Sequence, residues 1–168
     1  MDQLDLPSGR GLLLLTTGGT IDKVYFDASS EFEVGDSVLP ELLREAQVNL
    51  AYRLHALLRK DSLELTDTDR NAIRAAVAAA PETRCVITHG TDTMTATAAT
   101  LAGLPKTIVL TGSLAPARFA RTDATFNVGM AFAAAQCLPA GVYVAMNGQV
   151  FAAARVRKDP VRKRFVAT

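Results

Sequence analysis

Residues 11–20, Gly-Leu-Leu-Leu-Leu-Thr-Thr-Gly-Gly-Thr, decide the fold. Gly11–Thr17 reads as a buried strand, and Gly18–Gly19 turns the chain sharply at its end. Working outward, Leu39, Leu42, Leu43 and Ala46 fall at helical spacing after Ser37, a candidate N-cap, with Pro40 in the first turn. Leu50, Tyr52 and Leu54 alternate as in a strand with one covered face. Thr66 and Asp69 resemble a capping pair opening a helix that puts Ile73, Ala76, Val77 and Ala80 on one side and stops at Pro81. Cys85–Thr88 is a second buried strand. Thr91–Ala102 follows as a helix with Met94, Ala98 and Leu101 inward and Gly103 as its stop. Thr107–Thr111 is a strand, Asp123–Gln136 an alanine-rich helix, and Gly141–Asn147 another strand. Lys23–Gly35 has no clear period and reads as a loop.

Strands alternating with helices predict a doubly wound α/β fold, a mostly parallel sheet with helices on both faces. The 168 residues fit one domain, 1–168, with 155–168 as a basic C-terminal tail within it. Hydrophobic residues make up 49% and charged residues 21%, as in a water-soluble globular domain. The net charge of +1 gives no general pull toward nucleic acid or membrane. From Val150 onward six basic residues stand against one acid, which leaves the rest of the chain at net −4. Such a tail reads as a solvated end. Cys85 and Cys137 lie in apolar segments with no His or Cys at metal-ligand spacing, so two buried thiols are expected rather than a disulfide or a metal centre. Leu12–Leu15 lacks a basic flank and a cleavage site and is too short to span a bilayer; the cytoplasm is the expected location.

In a doubly wound sheet, ligands sit beyond the carboxyl ends of the strands. Those ends carry Thr16–Thr20, then Thr88-His89-Gly90-Thr91-Asp92-Thr93, then Thr111-Gly112-Ser113. Three strands thus deliver hydroxyls and glycines to one edge. Gly18 and Gly19 can expose backbone N–H groups to an anion or a developing oxyanion, and Thr20 presents a hydroxyl beside them. Neither a dinucleotide fingerprint nor a phosphate loop follows the glycines. Asp92 stands where a helix cap is common, and its charge also suits a substrate ammonium. His89 reads as hydrogen-bonded structure, and His55 lies within a strand. A hydroxyl nucleophile needs a base, which leaves lysine, tyrosine or a carboxylate; a free lysine, with a pKa of about 10.4, serves only if its surroundings help.

Thr17-Gly18-Gly19-Thr20-Ile21 and Thr88-His89-Gly90-Thr91-Asp92-Thr93-Met94 resemble the two signatures of the bacterial-type L-asparaginase family. The resemblance continues through Asp61-Ser62, Leu110–Ser113, Asp123–Asn127 and Val144–Asn147 to Arg157-Lys158. It implies the fold of the family's N-terminal domain, hydrolysis of asparagine to aspartate and ammonia, no metal or organic cofactor, and a homodimer or homotetramer. It implies Thr20 as nucleophile, with Thr91, Asp92 and Lys158 as the second catalytic group. Ser62 would hold the substrate α-carboxylate and Asp92 its α-amino group, with Gly19, Gly90 and Asp61 around the same ligand. Members usually carry a second, C-terminal domain supplying a glutamate to the neighbouring subunit; this chain is expected to be a short variety without it. Leu63 stands where the family often has glutamine, and Phe32 where it has a loop tyrosine, so Tyr25 is the candidate phenol. The other amidases of this type, a glutaminase or an amidotransferase subunit, are alternatives, as is a non-catalytic amino-acid-binding module.

Overall fold

The computed structural model describes residues 11–27 and 30–168. Six strands form the main sheet: β1 (Leu12–Gly18), β4 (Tyr52–Lys60), β5 (Arg84–Thr88), β6 (Thr107–Thr111), β7 (Gly141–Met146) and β8 (Gln149–Ala152). Their spatial order is β4-β1-β5-β6-β7-β8; every neighbouring pair is parallel except β7–β8. The helices are α1 (Leu39–Glu45), α2 (Asp67–Ala79), α3 (Met94–Thr100) and α4 (Ala124–Cys137).

Alternation along the strands explains why both faces are covered. Leu12, Leu14, Val86, Val109 and Ala145 pack with α1 and α4 on one face. Leu13, Leu15, Ile87, Ile108, Leu110 and Val144 pack with α2 and α3 on the other. A strand buried on both faces is apolar at every position, which is how β1 reads. The Thr66–Asp69 capping box forms as expected and opens α2. Gly103 follows α3 with φ +82°, the left-handed conformation of a helix stop.

Four expectations are corrected. The segment 23–35 is not a loop: β2 (Lys23–Phe26) and β3 (Glu31–Val34) pair as an antiparallel hairpin, residues 28 and 29 lying outside the described residues. Its pattern was unreadable because the ribbon stands outside the main sheet, and three of the four β3 residues are exposed. The basic end is not merely solvated. β9 (Val156–Asp159) and β10 (Arg164–Ala167) form a second hairpin that turns Val156 and Phe165 into the core and leaves Arg157 and Arg164 outside. The third helix starts only at Met94, since Thr91 and Asp92 are engaged elsewhere. Finally, both cysteines are free, but only Cys85 is buried; Cys137 ends α4 and is exposed. Burial pushes the Cys85 thiol up, so it stays an unreactive thiol.

Candidate active site

The strand order fixes the place of the site. From β1 the chain passes first to β4 on one side, then to β5 on the other. The crevice beyond the carboxyl ends of β1 and β5 is the switch point where such sheets take ligands. Both signature segments emerge there.

Two glycines let them meet. Gly19, at φ +92°, lies so close to the backbone of His89 and Gly90 that any Cβ on it would collide with the Gly90 N and Cα. Gly90 in turn lies against Ser62, whose Oγ would be 2.6 Å from an added Cβ. Gly112 is pressed onto the His89 carbonyl in the same way. The three strand ends are therefore in contact, in keeping with the expectation from the sequence. Thr20 and Thr91 each follow one member of the touching Gly19–Gly90 pair, so their backbones are a single residue step from it.

The Lys158 ammonium donates to Thr91 Oγ1 at 2.7 Å and to Asp92 Oδ1 at 2.6 Å. Strand alternation aims it inward. Lys158 shares a hairpin face with Val156 and stands opposite Phe165, both buried. Asn147 Oδ1 accepts the Phe165 N–H at 2.8 Å and ties β10 to the end of β7. Asp92 does not cap α3; Thr93 occupies the cap position without a side-chain bond, its hydroxyl donating to the Ser62 carbonyl at 2.7 Å.

Ser62 is buried, yet its Oγ has no hydrogen-bond partner among the described residues. An orphaned hydroxyl against the Gly90 backbone is a ready donor to an anionic ligand. Asp61 is held by Lys23 at 2.8 Å and by the Leu63 N–H, which keep its carboxyl below the usual range. The Gly19 N–H is already donated to the Lys60 carbonyl at 3.0 Å, so its close approach rather than its N–H is what it brings to the site. Tyr25 and Phe32 are cross-strand partners with ring centroids 5.4 Å apart.

His89 is structure, as expected. A carbonyl only accepts, so Nδ1 carries hydrogen toward Gly90 O at 2.7 Å, and Nε2 accepts from the Thr97 hydroxyl at 2.7 Å. Burial pushes its pKa down to about 4, and it stays neutral at pH 7. Sequence reasoning quoted Thr93 and Asn147 within motifs but gave them no role, and it missed the buried Asp22, two residues beyond Thr20. For Asp22 one signal existed, an acid directly after the apolar Ile21. Among the described residues no group of three or more His, Cys, Asp or Glu could hold a metal ion. Two apolar grooves, of about 380 Å³ between α1 and α4 and about 440 Å³ beside α3, contain none of Thr20, Thr91, Asp92 or Lys158.

Comparison with known proteins gives the chain's family and fold. The family described as Asparaginase, N-terminal matches residues 11–164. The chain is 34% identical over 162 residues to a glutamyl-tRNA(Gln) amidotransferase component of Aeropyrum pernix, covering 85% of this chain and 36% of that protein. It is 32% identical over 160 residues to an L-asparaginase of Thermococcus kodakarensis, covering 88% of this chain and 47% of that one. The solved structure of the thermostable L-asparaginase from Thermococcus kodakarensis superposes with TM-score 0.81 at 28% identity over 94% of this chain and 51% of that chain. That of L-asparaginase I from Vibrio cholerae gives 0.80 at 27%, over 95% and 51%. The chain thus spans about half, or less, of the length of the relatives it matches. On the family match over residues 11–164, the chain belongs to the asparaginase family.

Proposed function

We propose that this chain is an amidohydrolase of the L-asparaginase type, with Thr20 as nucleophile and L-asparagine as substrate. The observation that carries this reading is the Lys158–Thr91–Asp92 cluster, with bonds of 2.7 and 2.6 Å, one residue from the Gly19–Gly90 contact that precedes Thr20. In this reading the Thr20 hydroxyl attacks the amide carbon and backbone N–H groups hold the oxyanion. Lys158, in its uncharged amine form and acting through Thr91, takes the hydroxyl proton, becoming the ammonium, and returns it to the departing amide nitrogen, which leaves as ammonia. Water then splits the acyl-enzyme. Ser62 Oγ, buried and unpartnered among the described residues, holds the α-carboxylate, and the half-exposed Asp92 meets the α-ammonium.

A glutaminase or an ammonia-supplying component of an amidotransferase is the second reading, favoured by the 34% identity to the amidotransferase component of Aeropyrum pernix. Ammonia release from asparagine and from glutamine separates the two. Asparagine turnover at least tenfold above glutamine is expected; the reverse would move the assignment. Binding of either amino acid without turnover would instead leave a non-catalytic module. With Thr20→Ala, ammonia release should fall by about three orders of magnitude or more, and near-normal release would remove Thr20 from its role.

The cytoplasmic location and an even oligomer are part of the same proposal. Among the described residues no helix is long and apolar enough to cross a membrane. Tyr25, Phe32 and Phe119 form a half-exposed aromatic chain, and Val34 of the β2–β3 hairpin lies against Gly18, which supports a subunit contact near the site. Sedimentation of an active monomer would contradict it.

A further inference from the structure

Asp22 is a buried acid that the mechanism above does not use. It closes the turn around Thr20, its N–H donating to the Gly19 carbonyl at 3.1 Å. Its own carbonyl accepts the Gly35 N–H at 2.8 Å, and its Oδ1 accepts the Val38 N–H at 2.9 Å, at the start of α1. Between Thr20 and Asp22 sits Ile21, fully buried, whose carbonyl takes the Ala117 N–H at 3.1 Å. Among the described residues, the side-chain group tying this turn to α1 is therefore a carboxylate, and no salt bridge reaches it.

Resting on the asparaginase reading, we propose that Asp22 is a positioning residue for Thr20: as a charged carboxylate it clamps the Thr20 turn to the start of α1, and protonating that clamp slows the reaction.

A buried carboxylate with no salt-bridge partner costs stability in its charged form. The groups that face Asp22 are few. Val38 N–H and the Ser37 hydroxyl reach it from the start of α1, the exposed Asp36 carboxylate adds repulsion, and Arg118, from the segment before α4, adds a favourable field. Burial outweighs the rest and lifts the Asp22 pKa from 3.8 to about 6. The charged form holds the Val38 N–H as a charge-assisted bond, shorter and stronger than a neutral acid makes. Acidification through this range weakens the bond without breaking the Lys158 cluster, which belongs to other elements.

The test uses the full chain. By NMR between pH 4.5 and 7.5, the Asp22 carboxyl should titrate near pH 6, with the Thr20 and Val38 amides moving at the same midpoint. In the assay on asparagine, kcat should rise through that midpoint. Asp22→Asn should lose this acid limb, with kcat about tenfold lower at pH 7.5 and KM within twofold of wild type. A merely structural Asp22 would alter stability and leave the pH profile in place. If Asp22→Asn fails to fold, Val38→Pro removes the donor at a backbone φ of −77° that proline accepts, and should likewise lower kcat. An Asp22 carboxyl that titrates in the ordinary range, a Thr20 amide indifferent to it, or an unchanged acid limb in Asp22→Asn overturns the proposal. Should wild type release no ammonia from either amide, the asparaginase reading fails, and the tracking of Thr20 with Asp22 still decides whether the clamp exists.

Discussion

At the residue scale, the proposed chemistry depends on where one amine is held. Lys158 is mostly covered, and the two oxygens it donates to lie in the second signature. Lys158→Met keeps the stem and removes the charge. It should lower kcat on asparagine by roughly 10²–10⁴, the range of a lost proton-transfer group, with KM changed far less; steady-state kinetics would show the split. Leu63 tells a different story. It follows the orphaned Ser62 and is 72% exposed, an apolar side chain with little to pack on where the family resemblance implies an amide. Leu63→Gln should lower KM for asparagine several-fold, about the worth of one hydrogen bond, while leaving the melting temperature within a degree or two. Low-micromolar saturation of the wild type would mean the leucine costs no grip.

At the element scale, the β9–β10 hairpin is what brings Lys158 to β5's edge, and a small number of contacts hold it. Phe165 is buried against the α3 face of the sheet, worth on the order of 2 kcal/mol by apolar transfer. Asn147 adds the bond to Phe165 N–H and occupies φ +54°, a conformation few residues accept. Asn147→Gly keeps that backbone freedom and deletes the bond. We expect stability to fall by about 1 kcal/mol and kcat to fall disproportionately, tenfold or more, because Lys158 loses its register against Thr91. Chemical denaturation and kinetics on the same preparation would check this; equal small losses would show that the hairpin holds Lys158 without Asn147.

At the scale of the whole molecule, two buried groups pull stability in opposite directions with pH. His89 has its pKa pushed down to about 4 by burial, so its contribution is complete at pH 7 and is lost as pH falls from 6.5 toward 4. Asp22 has its pKa raised to about 6, so its contribution is present in acid and is lost as pH rises through 6. From pH 7 to pH 5 the first costs about 2 kcal/mol and the second returns about 1 kcal/mol. Wild-type stability should therefore change by only about 1 kcal/mol across that span. Asp22→Asn removes the compensation and should lose about 2 kcal/mol on the same acidification, as urea unfolding at the two pH values would measure. An equal loss in both proteins would mean that Asp22 titrates alike in the folded and unfolded chain.

How much of this was legible in the chain itself follows from which interactions are local. Gly11–Thr20 declared a doubly buried strand and a glycine turn, because continuous apolar residues and paired glycines have few other uses. The second signature, the capping box of α2 and the parallel sheet were readable for the same reason, and so was the gathering of three strand ends at one edge. What the residues by themselves did not show were particular contacts between side chains distant in the chain; the grouping of Thr91, Asp92 and Lys158 came only through the family resemblance. The β2–β3 ribbon has no buried stripe of its own to announce it, and the basic end looked like solvated charge because each outward arginine masked an inward neighbour. Whether Asp92 caps a helix or meets a lysine 66 residues away, and whether Asp22 is a surface acid or a buried clamp, are decided by what the fold sets around them. Burial and charge pairing depend on distance in space, and only tertiary structure supplies that distance.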